Sequence, residues 1–334
     1  MKAKRKRRLG DRSDGWLLRG IDPYDSIIPY IMSRRNDSQN LFQDKFEITN
    51  VEKYLREKKD QGYRNFGILH VLLAAYVRTV SQRPKINRFV AGQKIYARND
   101  IEICMAVKRE LRSDETNTVI KTVFSHEDTA IDVYNKFNKV YENATSQAEN
   151  HFDGTARIIN YIPGLLKKFT VGFLAFLDYF GILPKGLSDV SCFHGSMFIT
   201  SMGSLGIPPI YHHLYNFGNI PVFVAFGTKR RVMELDESGN PVKRTYVDYN
   251  VVTDERICDG FAYASAFKLF RRYMNNPWML DNPPEEVIED PNIDAKRRRK
   301  TPRLQRKAKR KQQDSKCKRG KGDKTARFTY NGGI

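Results

Sequence analysis

The sequence predicts an α/β or α+β domain in which a mixed β-sheet is flanked by helices. Two observations support this prediction. Segments with strand-like alternation are mixed with segments of helical periodicity, without the strict alternation that a purely parallel sheet requires. In addition, 334 residues with 40% hydrophobic and 12% aromatic content are enough for a large buried core.

The first half of the chain predicts two helices and two strands. The fold begins in the segment 22–36, and a helix follows at 67–82, where apolar residues recur at helical spacing. Alternating apolar residues predict strands over 101–107 and 119–124. Residues 131–141 supply the apolar face of a second helix. Its first turn is expected to hold His126, Glu127 and Asp128.

The most apolar stretch of the chain runs over residues 171–183. It is too short to span a bilayer, it contains Asp178, and it follows Lys167 and Lys168. We therefore expect a helix that lies in the core or lines an apolar channel.

The second half of the chain predicts a strand-rich region that ends in a helix. The turn sequence Asp-Glu-Ser-Gly-Asn separates two strand-like runs and is typical of a β-hairpin. The predicted elements are a strand at 197–201, a glycine-rich turn at 203–206, a strand at 221–226, the hairpin turn at 236–240, a strand at 242–253 and a helix at 261–273.

The net charge of +20 belongs to the two ends of the chain. Residues 1–9 contribute +6 and residues 291–327 contribute +14, so the remainder is formally neutral. Long Lys/Arg runs without apolar periodicity cannot bury a face and are typical of disorder. We therefore expect three parts, namely a basic N-terminal extension over 1–20, a folded domain over 21–285 and a disordered basic tail over 286–334.

A tail of this charge binds polyanions through counterion release. Residues 296–327 are therefore a candidate site for nucleic acid, an anionic membrane surface or an acidic partner protein. A tail that serves only solubility, with no dedicated ligand, is the alternative. The tail has few aromatic residues before Phe328, so it offers no stacking platform for single-stranded bases.

The cysteines and the N-terminus indicate the compartment. The four cysteines, at 104, 192, 258 and 317, form neither a close pair nor a metal-binding spacing, which favours a reducing cytoplasm and predicts no metal site. The N-terminus is charged and lacks the apolar region of a signal peptide, and we expect no transmembrane segment.

One motif near the end of the predicted domain resembles a known family. The sequence Glu255-Arg-Ile-Cys-Asp259-Gly260 is similar to the His-x-x-x-Asp-Gly motif of chloramphenicol acetyltransferases. Asp254 and Arg256 resemble the Asp-His-Arg form of the dihydrolipoyl acyltransferase catalytic domain of 2-oxoacid dehydrogenase complexes. In this correspondence Glu255 occupies the position of the catalytic histidine.

Three further segments match this acyltransferase family in the expected order. Residues 198–206 resemble its "Thr-Ile-Ser-Asn-Leu-Gly" strand and turn, and residues 221–227 resemble the strand that follows. The helix that ends before Pro84-Lys-Ile-Asn87 resembles the earlier "Pro-x-Leu-Asn" region. The resemblance thus covers residues 20–285.

The resemblance implies a chloramphenicol acetyltransferase-like mixed sheet flanked by helices, and a homotrimer. In the family, CoA or acyl-CoA and the acyl acceptor meet in a tunnel at the subunit boundary. The resemblance implies that Thr200 or Ser201 donates to the tetrahedral oxyanion. It also implies that Asp259 forms a loop-shaping salt bridge and that Gly260 permits the turn. The sequence does not assign the partner of Asp259, for which Arg34 and Arg35 are two candidates.

A glutamate at the histidine position changes the expected chemistry. Proton transfer from a thiol, with a pKa of about 8.5, is uphill by roughly 3 kcal/mol to histidine but by roughly 6 kcal/mol to glutamate. A carboxylate also repels the developing thiolate and oxyanion. The first hypothesis is therefore a non-catalytic trimeric binding or scaffold protein, a pseudoenzyme. The second is an active CoA-dependent acyltransferase in which Glu255 is a base whose pKa is raised by burial.

Other residues offer alternatives to Glu255 as the base. His194, His212 and His213 are the candidates, although each is also consistent with a structural or surface role. For Glu255 itself we favour, over a catalytic role, an ion pair to Arg256 or to a basic residue across the subunit interface. Cys258 invites a nucleophilic role, but we interpret it as a small packed side chain.

Overall fold

The fold is built on a six-stranded mixed sheet and a smaller three-stranded antiparallel sheet. The computed structural model describes residues 5–108, 117–146, 154 and 159–294, so the predicted polyanion-binding segment 296–327 lies outside the described residues. The strands are β1 (Gly15–Leu17), β2 (Gln39–Glu47), β3 (Arg88–Ala91), β4 (Lys94–Arg98), β5 (Ile101–Lys108), β6 (Asn117–Phe124), β7 (Met197–Ser201), β8 (Val222–Leu235) and β9 (Pro241–Asp254).

Helices cover the large sheet. They are α1 (Pro23–Ile31), α2 (Thr49–Asp60), α3 (Ile68–Gln82), α4 (Ala130–Ser146), α5 (Gly164–Phe180), α6 (Lys185–Val190) and α7 (Gly260–Asn275). The large sheet has the order β2-β9-β8-β7-β5-β6, in which β7 is parallel to both neighbours and the other pairs are antiparallel. The small sheet has the order β1-β4-β3. The predicted mixed sheet with flanking helices is confirmed.

The main core lies between the large sheet and helices α3, α4 and α7. Every residue of α3 from His70 to Ser81 is buried, which explains why its sequence is apolar nearly all round instead of along one stripe. The predicted strands at 101–107, 119–124, 197–201 and 242–253 are present with small changes at their ends. Helix α4 begins at Ala130, so the three polar residues expected in its first turn precede it.

Packing extends further towards both ends of the chain than the predicted domain boundaries at 20 and 286. Strand β1 lies within the predicted N-terminal extension and pairs with β4. Near the other boundary, Asp290 forms a buried ion pair of 2.5 Å with Arg88, and Ile293 belongs to the main core. These contacts tie both end segments to the domain.

The apolar stretch 171–183 does not form the predicted core helix. It lies in α5, where Asp178 is the only buried residue. Phe173 and Phe176 are 50% and 54% exposed. The core position was wrong because hydrophobicity alone does not show which face of a helix meets the protein, while the alternative of a helix that lines an apolar channel stays a prediction. No helix within the described residues is both long and apolar enough to cross a membrane.

Helix α5 is held to the domain by its polar side. Asp178 lies 2.6 Å from a guanidinium nitrogen of Arg12 and 3.5 Å from Nε2 of His194. Burial disfavours the charged carboxylate, but these partners outweigh burial and hold the pKa of Asp178 at about 2. The ionised carboxylate therefore fixes the helix at its C-terminal end.

The lowered pKa of Asp178 predicts a stability contribution that depends on pH. An aspartate in an unfolded chain has a pKa of about 3.9, so the contribution is complete above that pH and is lost as the pH falls towards 2. The destabilisation caused by Asp178→Asn should shrink by about 1 kcal/mol between pH 6 and pH 3, measured by urea unfolding. The exposed Asp189→Asn serves as the control. A cost of Asp178→Asn that stays constant across this range would contradict the assignment.

Candidate active site

The candidate site is organised by a buried carboxylate at the end of β9. Asp254 is fully buried and forms a bidentate ion pair with Arg256, with both N–O distances at 2.8 Å. The hydroxyl of Ser38 donates to the same carboxylate at 3.1 Å. Tyr263 of α7 donates to the Asp254 backbone carbonyl at 3.0 Å. The turn that carries the predicted motif is therefore fixed from several sides.

A second arginine completes this cluster. Arg35 is 4% exposed, and its Nε lies 3.4 Å from the Asp254 carboxylate. The remaining nitrogens of Arg35 donate to the backbone carbonyls of Tyr215 and Val90. Burial lowers the pKa of Arg35 to about 10, which shows how strongly this side chain is removed from water. Of the two arginines considered from the sequence, Arg35 is the buried one, and its partner is Asp254.

Asp259 has a different role from the predicted salt bridge. Its carboxylate accepts from the backbone N–H of Ala262 at 2.7 Å, so it caps the N-terminus of α7. Among the described residues, no lysine, arginine or histidine forms an ion pair with it. Gly260 follows as the first residue of the helix. The motif's aspartate thus shapes the loop through helix capping, while the ion pair belongs to Asp254.

Glu255 points out of this fixed turn. Its backbone N–H donates to the Ser38 carbonyl at 2.9 Å, but its side chain is exposed. Within the described part of the chain, no hydrogen bond or ion pair reaches its carboxylate, and Arg256 pairs with Asp254 instead. The Glu255 carboxylate is therefore accessible to solvent or to another molecule.

Thr200 and Ser201 occupy the end of β7. Both are half-buried, and neither hydroxyl forms a hydrogen bond to another described residue. Because neighbouring strand residues point to opposite faces, only one of the two can serve a given ligand. Thr200 faces the same side as Phe198, and Ser201 faces the same side as Ile199, which packs in the main core. Both hydroxyls remain available as donors.

The glutamate and these hydroxyls are far apart in one chain. Thr200 of β7 pairs with Ala225 of β8, and Ala225 pairs with Asn250 of β9. Thr200 is therefore level with Asn250 and lies two strands away from it. Glu255 lies five residues beyond Asn250 along the chain. A rise of about 3.3 Å per residue and a strand spacing of about 4.8 Å place the two groups on the order of 15–20 Å apart. We call the Glu255 loop and the end of β7 the two half-sites, and within one chain these two groups are not in contact.

The three histidine candidates differ in their surroundings. His194 is 2% exposed, and its Nδ1 lies 2.8 Å from the Ser191 hydroxyl while its Nε2 faces Asp178. It therefore belongs to the anchor of α5. His213 is exposed, and its ring contacts that of His212.

His212 has the geometry of a neutral base. Its Nδ1 is 2.8 Å from the His213 carbonyl, an oxygen that can only accept, so Nδ1 carries the proton and the lone pair lies on Nε2. Partial burial lowers the pKa of His212. The ring stacks on Phe223 with a centroid distance of 4.0 Å, on the face of the sheet towards which Thr200 points.

Cys258 is a packed side chain, as the sequence suggests. It belongs to the main core, and burial raises the pKa of its thiol to about 12. A thiol with so high a pKa supplies almost no thiolate at neutral pH.

An apolar cavity of about 60 Å³ lies between the sheet and helices α3 and α7. This volume is less than half of the roughly 150 Å³ cavity that accommodates benzene in an engineered protein core. The cavity can therefore hold a small apolar group, but not a molecule of the size of CoA. Ile199 of β7 and Thr253 of β9 are among its lining residues.

Comparison with solved structures places this fold among known ones. A probable dihydrolipoamide acetyltransferase from Listeria monocytogenes 4b F2365 matches with a TM-score of 0.50 and 14% identity, over 80% of this chain and 96% of that chain. The dihydrolipoamide acetyltransferase of Azotobacter vinelandii also matches with a TM-score of 0.50 and 14% identity, over 76% and 90%. A chloramphenicol acetyltransferase matches with a TM-score of 0.46 and 8% identity, over 75% and 94%.

The first two likenesses confirm the predicted fold, since the chain has the architecture of dihydrolipoamide acetyltransferase catalytic domains. No family model and no curated protein matches the sequence.

The buried cluster predicts a large cost for removing the Asp254 charge. Asp254→Asn leaves two buried arginines without their counter-ion, so we expect a loss of about 3 kcal/mol in the free energy of unfolding, measured by urea denaturation. The matched control is Asp248→Asn, which removes the carboxylate from the exposed ion pair with Arg230 and should cost far less. Equal costs for the two substitutions would contradict the central role of Asp254.

Proposed function

We propose that the protein is a homotrimer with the acyltransferase fold that is impaired in ordinary CoA-dependent acyl transfer and acts as a binding or scaffold protein. The observation that supports this most directly is the exposed Glu255 carboxylate at the position of the catalytic histidine. Burial is the effect that could make a glutamate a stronger base, and the turn directs this side chain away from the interior.

The Azotobacter enzyme offers a comparison for the spacing of the motif. A serine, a histidine and an asparagine four residues after that histidine were investigated for their role in its catalytic mechanism. In this chain the corresponding spacing connects Glu255 with Asp259, and Thr200 and Ser201 are the candidates for the hydroxyl. The spacing is thus retained while the imidazole is absent. We propose that the loop has kept its architecture and lost its base.

The separation of the half-sites supports self-association. Glu255 of one copy can approach Thr200 or Ser201 only if these come from another copy, since they lie on the order of 15–20 Å apart in one chain. Exposed apolar residues accompany both half-sites. Tyr30 and Ile31 of α1 are 58% and 70% exposed beside the loop that accepts from Arg256, and Leu205 is 58% exposed just after Ser201. Apolar surface of this kind is typical of interfaces.

An assay of acyl transfer tests the proposal. We expect little release of the CoA thiol from acetyl-CoA with dihydrolipoamide by the native protein. Glu255→His should raise the rate by at least about tenfold if the remaining groups are in place, because general base catalysis contributes about 10²–10⁴-fold. Glu255→Gln is the matched control, since it removes the charge without supplying an imidazole.

The two parts of the proposal have separate readouts. Rapid turnover by the native protein would overturn the impaired activity. Sedimentation that shows a monomer would overturn the trimer, whatever the assay shows. A silent Glu255→His variant in an intact trimer would indicate a remodelled site and would leave the scaffold role as the better description.

A second candidate function is an active CoA-dependent acyltransferase that uses His212 as its base. The specific observation is the fixed tautomer of His212, which leaves an unprotonated Nε2 on the sheet face of Thr200. Partial burial lowers the pKa of His212, which favours the neutral imidazole. In this alternative the base and the oxyanion donor come from the same half-site, and CoA binds as acyl donor.

His212→Gln distinguishes this second candidate. If His212 is the base, the substitution should reduce acyl transfer by about 10²-fold or more, while His213→Gln should have a small effect. The rate of acyl transfer by the native protein should decrease when the pH falls below the lowered pKa of His212, because protonation removes the lone pair on Nε2. A native rate that is equally insensitive to both substitutions would contradict a catalytic role for His212.

A further inference from the structure

Helix α5 presents its apolar side to the outside of the domain. The side that faces the domain holds the buried Asp178 and the partly buried Lys167, Thr170, Leu174 and Leu177. The outward stripe contains only leucine and phenylalanine, with exposures between 50% and 89%: Leu165, Leu166, Phe169, Phe173, Phe176 and Phe180. Most of the large apolar side chains of this helix therefore face away from the core, whereas the apolar stripe of an ordinary surface helix meets the core.

The outward orientation is fixed by contacts on the other side of the helix. Asp178 forms its buried ion pair with Arg12, and the Tyr179 hydroxyl donates to Gln93 at 2.7 Å. The backbone of Gly92 approaches the Tyr179 carbonyl so closely that a Cβ at this position would clash with that oxygen. Turning the apolar stripe inward would break all of these contacts.

Positive charge lies at both ends of the apolar stripe. Lys167 and Lys168 are in the first helical turns, and Lys168 is exposed. At the other end, Arg12 lies beside Gly181, but its charge is balanced in the buried ion pair with Asp178. The exposed Arg7, whose guanidinium donates to the Arg12 carbonyl, supplies the positive charge near this end of the helix. The only acid of the helix, Asp178, is buried in its ion pair.

We propose that α5 docks the protein on an anionic lipid bilayer, with the helix lying parallel to the membrane plane. A helix of 17 residues is about 25 Å long and presents phenylalanine and leucine to the acyl boundary while its flanking cations meet the headgroups. The net charge of +20 adds long-range attraction to anionic lipid. The stripe of six leucine and phenylalanine residues carries no polar side chain, which suits a fluid surface, since such a surface requires no fixed register of hydrogen bonds.

Vesicle co-sedimentation of the full chain tests the proposal. Native protein should bind vesicles of phosphatidylcholine with phosphatidylserine and should bind pure phosphatidylcholine vesicles much more weakly. The double variant Phe173→Asp/Phe176→Asp should bind the anionic vesicles about tenfold or more weakly, because it places two charges in the apolar stripe. The matched control is Met233→Asp/Leu235→Asp, which changes two apolar residues of the β8–β9 hairpin that are more exposed than Phe173 and Phe176, at 64% and 71%.

The basic ends of the chain are present in every variant, so a difference between the two double variants reports on α5 alone. Unchanged binding of Phe173→Asp/Phe176→Asp would overturn the proposal. A change in its oligomeric state without lipid, measured by sedimentation velocity, would also overturn it by assigning the face to a contact between copies. Phe176→Trp keeps the surface apolar, and its fluorescence should be quenched by brominated lipid; the absence of quenching in bound protein would equally contradict docking through α5.

Discussion

The buried carboxylate of Asp254 is the interaction on which the architecture of the candidate site depends. It balances the charges of Arg35 and Arg256, and through them it joins the end of β9 to the segment before β2 and to the small sheet. A buried charge cluster of this kind is stable only when every member has partners, because each ion has been removed from water. Loss of one member would therefore affect several elements at once.

The same cluster separates the shape of the motif loop from its chemistry. Asp254 and Asp259 hold the loop, the first through ion pairs and the second as a helix cap, whereas the side chain of Glu255 forms no contact with them. The shape of this loop therefore does not depend on which side chain stands at position 255. The two half-sites at opposite ends of the strands add a second requirement, since any chemistry that needs both of them also needs two copies of the chain.

Much of the fold could be predicted because its signals are local. The spacing of apolar residues specified α3, and the sequence Asp236–Asn240 specified the hairpin between β8 and β9. The pairing of Arg35 with Asp254 could not be read from the sequence, because it joins residues more than two hundred positions apart and the motif suggested Asp259 instead. The outward face of α5 was missed because an apolar run specifies a helix but not what covers it.

The free side chain of Glu255 has a consequence for how the sequence of this loop can diverge. Replacement of residue 255 removes no side-chain hydrogen bond or ion pair among the described residues, whereas Asp254 and Arg256 on either side are held by buried ion pairs. Folding therefore places little constraint on the residue at position 255, and any constraint there would come from a ligand or partner. In related chains we then expect position 255 to vary while positions 254 and 256 stay the same. Such a pattern would distinguish selection for activity, which acts on position 255, from selection for stability, which acts on its two neighbours.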